Sequence, residues 1–189
     1  MGLLIGIVGF VLLFIYEANQ ILWRKSFLKT FFTSGFVCII TATFIMALDG
    51  LSVIHVLSSS FFVGVFCFII FFVLLIYTLF FSIPFTASYV EQFQQRSVYT
   101  QKMYALSRHP GVLWFIGVYW SLVLLFPTQS MIVLAVVLST LNLVYVLIQD
   151  VWSFPKLFVD YQQYKNTTPF LIPSIKSILK TIQSYQGRK

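Results

Sequence analysis

Long runs of apolar residues set the terms for this chain. A helix that crosses a bilayer needs roughly 20 mostly apolar residues, and five stretches meet or approach that length: 3–22, 27–48, 60–85, 111–126 and 130–148. Charged residues make up 9% of the sequence, against about 25% in an ordinary soluble domain, so the chain cannot coat itself with a water-facing surface. Lipid is the solvent that suits it. The 189 residues are expected to form one all-α integral membrane domain with about five transmembrane helices.

The stretches differ in character. The first is interrupted near its end by Glu17, Asn19 and Gln20, which places those side chains near a membrane face or inside the bundle. Gly2 and Gly6 form a GxxxG pattern, read as close helix packing. The N-terminal run lacks the basic flank and small-residue cleavage site of a signal peptide, so it reads as a retained span. The last two stretches are separated by Pro127, Thr128 and Gln129, which predicts a tight helical hairpin.

Charge fixes the expected orientation. Arg24, Lys25 and Lys29 follow the first stretch. Arg96, Lys102 and Arg108 lie between the third and fourth. Lys156, Lys165, Lys176, Lys180, Arg188 and Lys189 follow the fifth. With five spans, all twelve fall on one side, which the positive-inside rule makes cytoplasmic; the N-terminus is then outside. The formal charge of +7 points to anionic lipid headgroups rather than nucleic acid. The lack of long hydrophilic extensions points to a bacterial plasma membrane. The sequence does not speak to oligomeric state.

Two polar segments remain, 86–109 and the cytoplasmic tail 149–189. In the tail, Ile175, Ile178, Leu179 and Ile182 recur at helical spacing, with Lys176 and Lys180 on another face and Ser174 placed to cap. The pattern predicts a basic amphipathic helix lying on the membrane surface.

The chemistry-bearing residues are few. GxGxxG and Walker-type loops are missing, and Cys38 and Cys67 sit within apolar runs without neighbouring soft ligands, so no metal is expected. Asn142 is the most notable polar residue in mid-span and reads as helix–helix glue. That scarcity disfavours a transporter. Titratable groups gather at one boundary instead: Glu91, Arg108, His109, Asp150 and Asp160. Pro110 suits a first helical turn, so Arg108 and His109 stand at a helix entry, where partial positive charge and a guanidinium can hold a carboxylate or phosphate. Anchoring of a helix end is the plainer reading of the same pair.

Tyr104-x-x-x-Arg108-His109-Pro110 resembles the Tyr-x-x-x-Arg-His-Pro motif of the isoprenylcysteine carboxyl methyltransferase and phospholipid methyltransferase superfamily. The family's second landmark is an acidic pair at the end of the last span, then Phe-Gly, Tyr-x-x-Tyr and a proline. Here Gln149-Asp150, Leu157-Phe158, Tyr161-x-x-Tyr164 and Thr168-Pro169-Phe170-Leu171-Ile172-Pro173 stand at matching spacing. The likeness covers about the last 90 residues. Lys102 replaces a common glycine, Val112 and Trp114 replace a tyrosine and a glycine, Gln149 replaces the first acidic residue, and the Phe-Gly pair is lost.

The resemblance implies an S-adenosyl-L-methionine-dependent methyltransferase acting on a lipophilic small molecule or lipidated group. It places Tyr104, Arg108, His109, Gln149 and Asp150 around the cofactor, with Arg108 as the catalytic candidate. Tyr161 and Tyr164, three apart on a helix, either close that site or pack the tail. A thiolate, carboxylate, phenolate or amine can each accept a methyl group by in-line displacement, which needs alignment more than an acid–base relay. The departures raise the alternative of a catalytically inactive interaction protein that retains the fold.

Overall fold

The computed structural model describes residues 1–53, 58–82 and 97–187. Residues 83–85 of the third stretch, together with Glu91, Arg96, Arg188 and Lys189, lie outside the described residues.

Among the described residues every regular element is a helix. Helix α1 spans Gly2–Ile21, and α2 spans Thr30–Gly50 after a 3-10 turn at Phe27–Lys29. Helix α3, Ser59–Ile76, runs on through a π turn at Tyr77–Phe81. Short α4, Met103–Leu106, precedes α5, Pro110–Leu125, and α6, Gln129–Ile148. A second π turn, Gln149–Ser153, leads into α7, Phe154–Leu157; then come α8, Tyr161–Thr167, and α9, Ile175–Tyr185.

Four of these stretches are long and apolar enough to cross a membrane: Gly2–Ile21, Phe27–Gly50, Ser59–Phe81 and Gln129–Leu157. Helix α5 is apolar but only 16 residues long, about 24 Å at 1.5 Å per residue. It is therefore shorter than the usual hydrocarbon thickness. The last long stretch overruns its predicted end at 148 because the π turn adds helix without a break.

Close backbone approach joins α1 to α2. A Cβ added at Gly9 would lie 2.8 Å from the Gly35 carbonyl oxygen, and one at Gly35 would lie 2.8 Å from the Gly9 carbonyl oxygen. Gly6, from the GxxxG pattern, meets Leu138 of α6 and Ala42 of α2. Phe10 and Leu13 from α1, Ile39 and Met46 from α2, Tyr119 and Leu122 from α5, and Leu134 and Leu138 from α6 form one buried core. Helix α3 lies against α5, where the Phe71 ring fills the space beside Gly117. Many large apolar side chains face outward, among them Phe44, Phe62, Phe66 and Ile69. An apolar surface on this scale is what lipid, not water, accommodates.

Helices α5 and α6 pack against each other across the short connection at 126–128. Thr128 caps α6 by accepting a hydrogen bond from the Met131 amide at 3.1 Å, satisfying one of the donors a helix start leaves open. Ser174 caps α9 in a reciprocal box with Ser177. The buried side of α9 is its small polar one: Ser177, Thr181 and Ser184 each donate back to their own backbone, which lets α9 pack on α4. Ile175, Ile178, Leu179 and Ile182 face outward.

Candidate functional site

The motif before α5 begins in a strained turn. The Tyr104 amide donates to the Gln101 carbonyl at 3.1 Å, and Lys102 between them adopts φ 52, ψ −128. That region suits glycine, which has no Cβ to clash, and the resemblance expects glycine at this place. At the other end of the motif, Pro110 occupies the first turn of α5 and keeps His109 out of helical geometry, at φ −128, ψ 60. The freed amides of Arg108 and His109 donate to the carbonyls of Pro169 and Phe170, at 2.9 and 3.3 Å. The segment after α8 is thereby stitched to the motif.

Asp150 lies in the π turn at the exit of α6 and is 4% exposed. Its side chain meets the motif. Arg108 Nη2 donates to Oδ2 at 3.3 Å, and His109 Nε2 lies 3.3 Å from Oδ1. Arg108 Nε sits 2.9 Å from Oδ1 as a charge contact, but its N–H is not aimed there and has no hydrogen-bond partner. From α8, Lys165 Nζ approaches Oδ2 at 3.2 Å and the Tyr161 hydroxyl donates to Oδ1 at 2.7 Å. Arg108 is held further by the Lys165 carbonyl, which accepts from Nη1 at 3.1 Å.

Burial pushes the His109 imidazole below its ordinary pKa, although Asp150 pulls the other way. His109 is therefore neutral near pH 7 and donates Nε2–H to the carboxylate. Its ring stacks on Phe154 and meets Phe170 edge-on. The cluster of Arg108, Lys165 and Asp150 thus carries one surplus positive charge. Burial, followed by the neighbouring Asp150, raises the Tyr161 phenol well above its usual range, so it stays a donor. Two buried hydroxyls on the stitched segments, Ser107 Oγ and Thr168 Oγ1, have no hydrogen-bond partner, an arrangement rare enough in native interiors to suit a polar ligand.

Of the five residues picked from the sequence, Arg108, His109 and Asp150 come together. Tyr104 and Gln149 point elsewhere. The Tyr104 hydroxyl reaches the Thr78 carbonyl, 3.4 Å away in the π turn of α3, and burial pushes its pKa up to about 12. The Tyr104 carbonyl accepts from the Tyr164 hydroxyl at 2.7 Å, so Tyr164 fastens the tail to the motif. Gln149 turns toward α1, where its Nε2 donates to Glu17 at 2.9 Å. Trp114 also stands away from Asp150, donating from Nε1 to Thr78 Oγ1 at 3.0 Å.

Sequence reasoning missed Lys165 and the partners of Glu17. Lys165 follows Tyr161 by four residues, a spacing that sets both on one helix face and was there to be read. Glu17 is 3% exposed and accepts from Tyr145 at 3.0 Å, from Gln149 and from Ser153. Its only signal was a carboxylate inside an apolar run. Among the described residues no cluster of three or more potential ligands suits a metal ion.

A scan against protein-family models, a search of curated proteins and a search of solved structures each found no match to this chain.

Proposed function

We propose that this chain is an integral membrane methyltransferase that uses S-adenosyl-L-methionine on a lipophilic acceptor at the cytoplasmic interface. The observation that supports this reading most is the contact of Arg108 and His109, at the entry of α5, with Asp150, at the exit of α6. These residues lie 41 or 42 positions apart in the chain and carry the two landmarks of the resemblance.

The residues present fit the cofactor. The surplus positive charge of Arg108 and Lys165 suits its carboxylate. The hydroxyls of Ser107, next to Arg108 in the chain, and of Thr168 lack partners and are further potential donors to it. When bound, the cofactor supplies an electrophilic methyl group. The protein's part is to hold it in line with the acceptor and exclude water, with Phe154, Phe158 and Phe170 forming an apolar wall around His109 and Tyr161.

In this reading α5 is a fifth, short span, paired with α6 as a hairpin, which a locally thinned bilayer tolerates at modest cost. The N-terminus lies outside and the basic tail is cytoplasmic. Helix α9 lies on the inner leaflet of a bacterial plasma membrane, its isoleucines toward lipid and Lys176 and Lys180 toward headgroups. The acceptor reaches the site sideways from the bilayer.

A second reading, a non-catalytic interaction protein with the same fold, draws support from the self-sufficiency of Asp150, whose carboxylate is already met by Arg108, Lys165, His109 and Tyr161. Equilibrium binding of radiolabelled S-adenosyl-L-methionine to detergent-purified protein separates the two. Saturable binding that Arg108→Ala weakens is expected. No binding at millimolar cofactor would leave the interaction protein as the better account.

A further inference from the structure

Glu17 is a buried carboxylate in a membrane-type helix, and among the described residues no cation pairs with it. Its three donors are all neutral: the Tyr145 hydroxyl and Gln149 Nε2 on Oε2, and the Ser153 hydroxyl on Oε1. An ionised carboxylate offers about four acceptor positions, so Oε1 retains one. Such a group inside a bundle is expensive to keep, which makes it a candidate functional residue.

Its location sharpens the point. Gln149 and Ser153 lie four apart on the π turn, and both grip Glu17, while Asp150 in the same turn faces Arg108 and His109. The π turn therefore separates two poles. One has Asp150 with two cations beside it and a surplus positive charge. The other has a carboxylate with no counter-charge. A ligand ammonium is repelled from the first pole and attracted to the second.

We infer that Glu17, reaching across from α1, is the carboxylate that receives the ammonium group of S-adenosyl-L-methionine, while Asp150 serves to fix Arg108 and Lys165. Gln149 stands where the resemblance expects an acidic residue, and the missing charge is restored from another helix. This inference rests on the methyltransferase reading above.

The experiment compares two probes on detergent-purified protein: S-adenosyl-L-methionine, and 5′-methylthioadenosine, which lacks the amino-acid end. Glu17→Gln is expected to weaken the first by about tenfold or more, the scale of a hydrogen bond to a charged group, and to leave the second unchanged. The exchange Glu17→Gln/Gln149→Glu returns one carboxylate to the same contact and should recover most of the loss. If Glu17→Gln binds the cofactor like the unaltered chain, or loses both probes equally, the inference falls and the methyltransferase reading stands. If Glu17→Gln does not fold, the exchange variant decides: folded with cofactor affinity restored supports the assignment, and folded without it, or unfolded, overturns it. Failure of the unaltered protein to bind the cofactor at all removes both readings.

Discussion

Ser184 holds the amide of Lys102: its Oγ accepts that N–H at 2.9 Å, across a separation of 82 residues. The contact ties α9 to the turn that starts the Tyr104–Pro110 motif. It also secures a backbone shape, φ 52 and ψ −128, that a lysine adopts only under strain.

Such strain costs about 1–3 kcal/mol. Lys102→Gly should therefore raise the melting temperature in detergent, the relief outweighing glycine's entropic penalty of about 0.5–1 kcal/mol. Ser184→Ala should lower it, because the partly buried Lys102 amide loses its acceptor, a hydrogen bond worth about 0.5–1.5 kcal/mol. A lower melting temperature for Lys102→Gly would show that the turn is not strained as its dihedral angles indicate.

Asp150 is the anion on which two cations converge, and Arg108 is almost as buried as its partner. Removing the carboxylate leaves buried positive charge without compensation, a change that costs about 3–5 kcal/mol. Asp150→Ala should lose that much in a reversible unfolding titration. Lys165→Met should cost less, because the lysine side chain is 27% exposed against 10% for Arg108, so water screens its charge more and Arg108 stays on the carboxylate. Equal losses for the two variants would mean that Lys165 carries more of the cluster than its exposure implies.

His109 ties stability to pH. Its folded pKa lies below the ordinary 6.5 because burial disfavours the imidazolium. Between the two values the unfolded chain binds more protons than the folded one, so stability rises with pH there. The contribution is fully present above 6.5 and is lost as the pH falls toward the folded pKa. Melting curves should therefore shift downward as the pH falls below that value, and His109→Gln should flatten that part of the profile. A His109→Gln profile that keeps the full slope would assign the acid sensitivity to other groups.

Much of this protein was legible from its sequence. Twenty apolar residues in a row specify a spanning helix without help from the rest of the chain, because lipid leaves the backbone few other ways to satisfy its hydrogen bonds. The short Pro127–Gln129 connection specified the hairpin in the same local way, and Pro110 specified where α5 begins. Arg108, His109 and Asp150 could be singled out because each stands at the boundary of a predicted span.

Which way the side chains of that boundary turn could not be read locally. Gln149 and Asp150 are neighbours, yet the π turn sends one to Glu17 and the other to Arg108. Glu17 and Ser153 are 136 residues apart and meet because α1 packs directly on α6, with Gly6 against Leu138. The long apolar helices followed from the solvent that each segment prefers. The site followed from helix rotation and packing, which depend on every partner in the bundle at once.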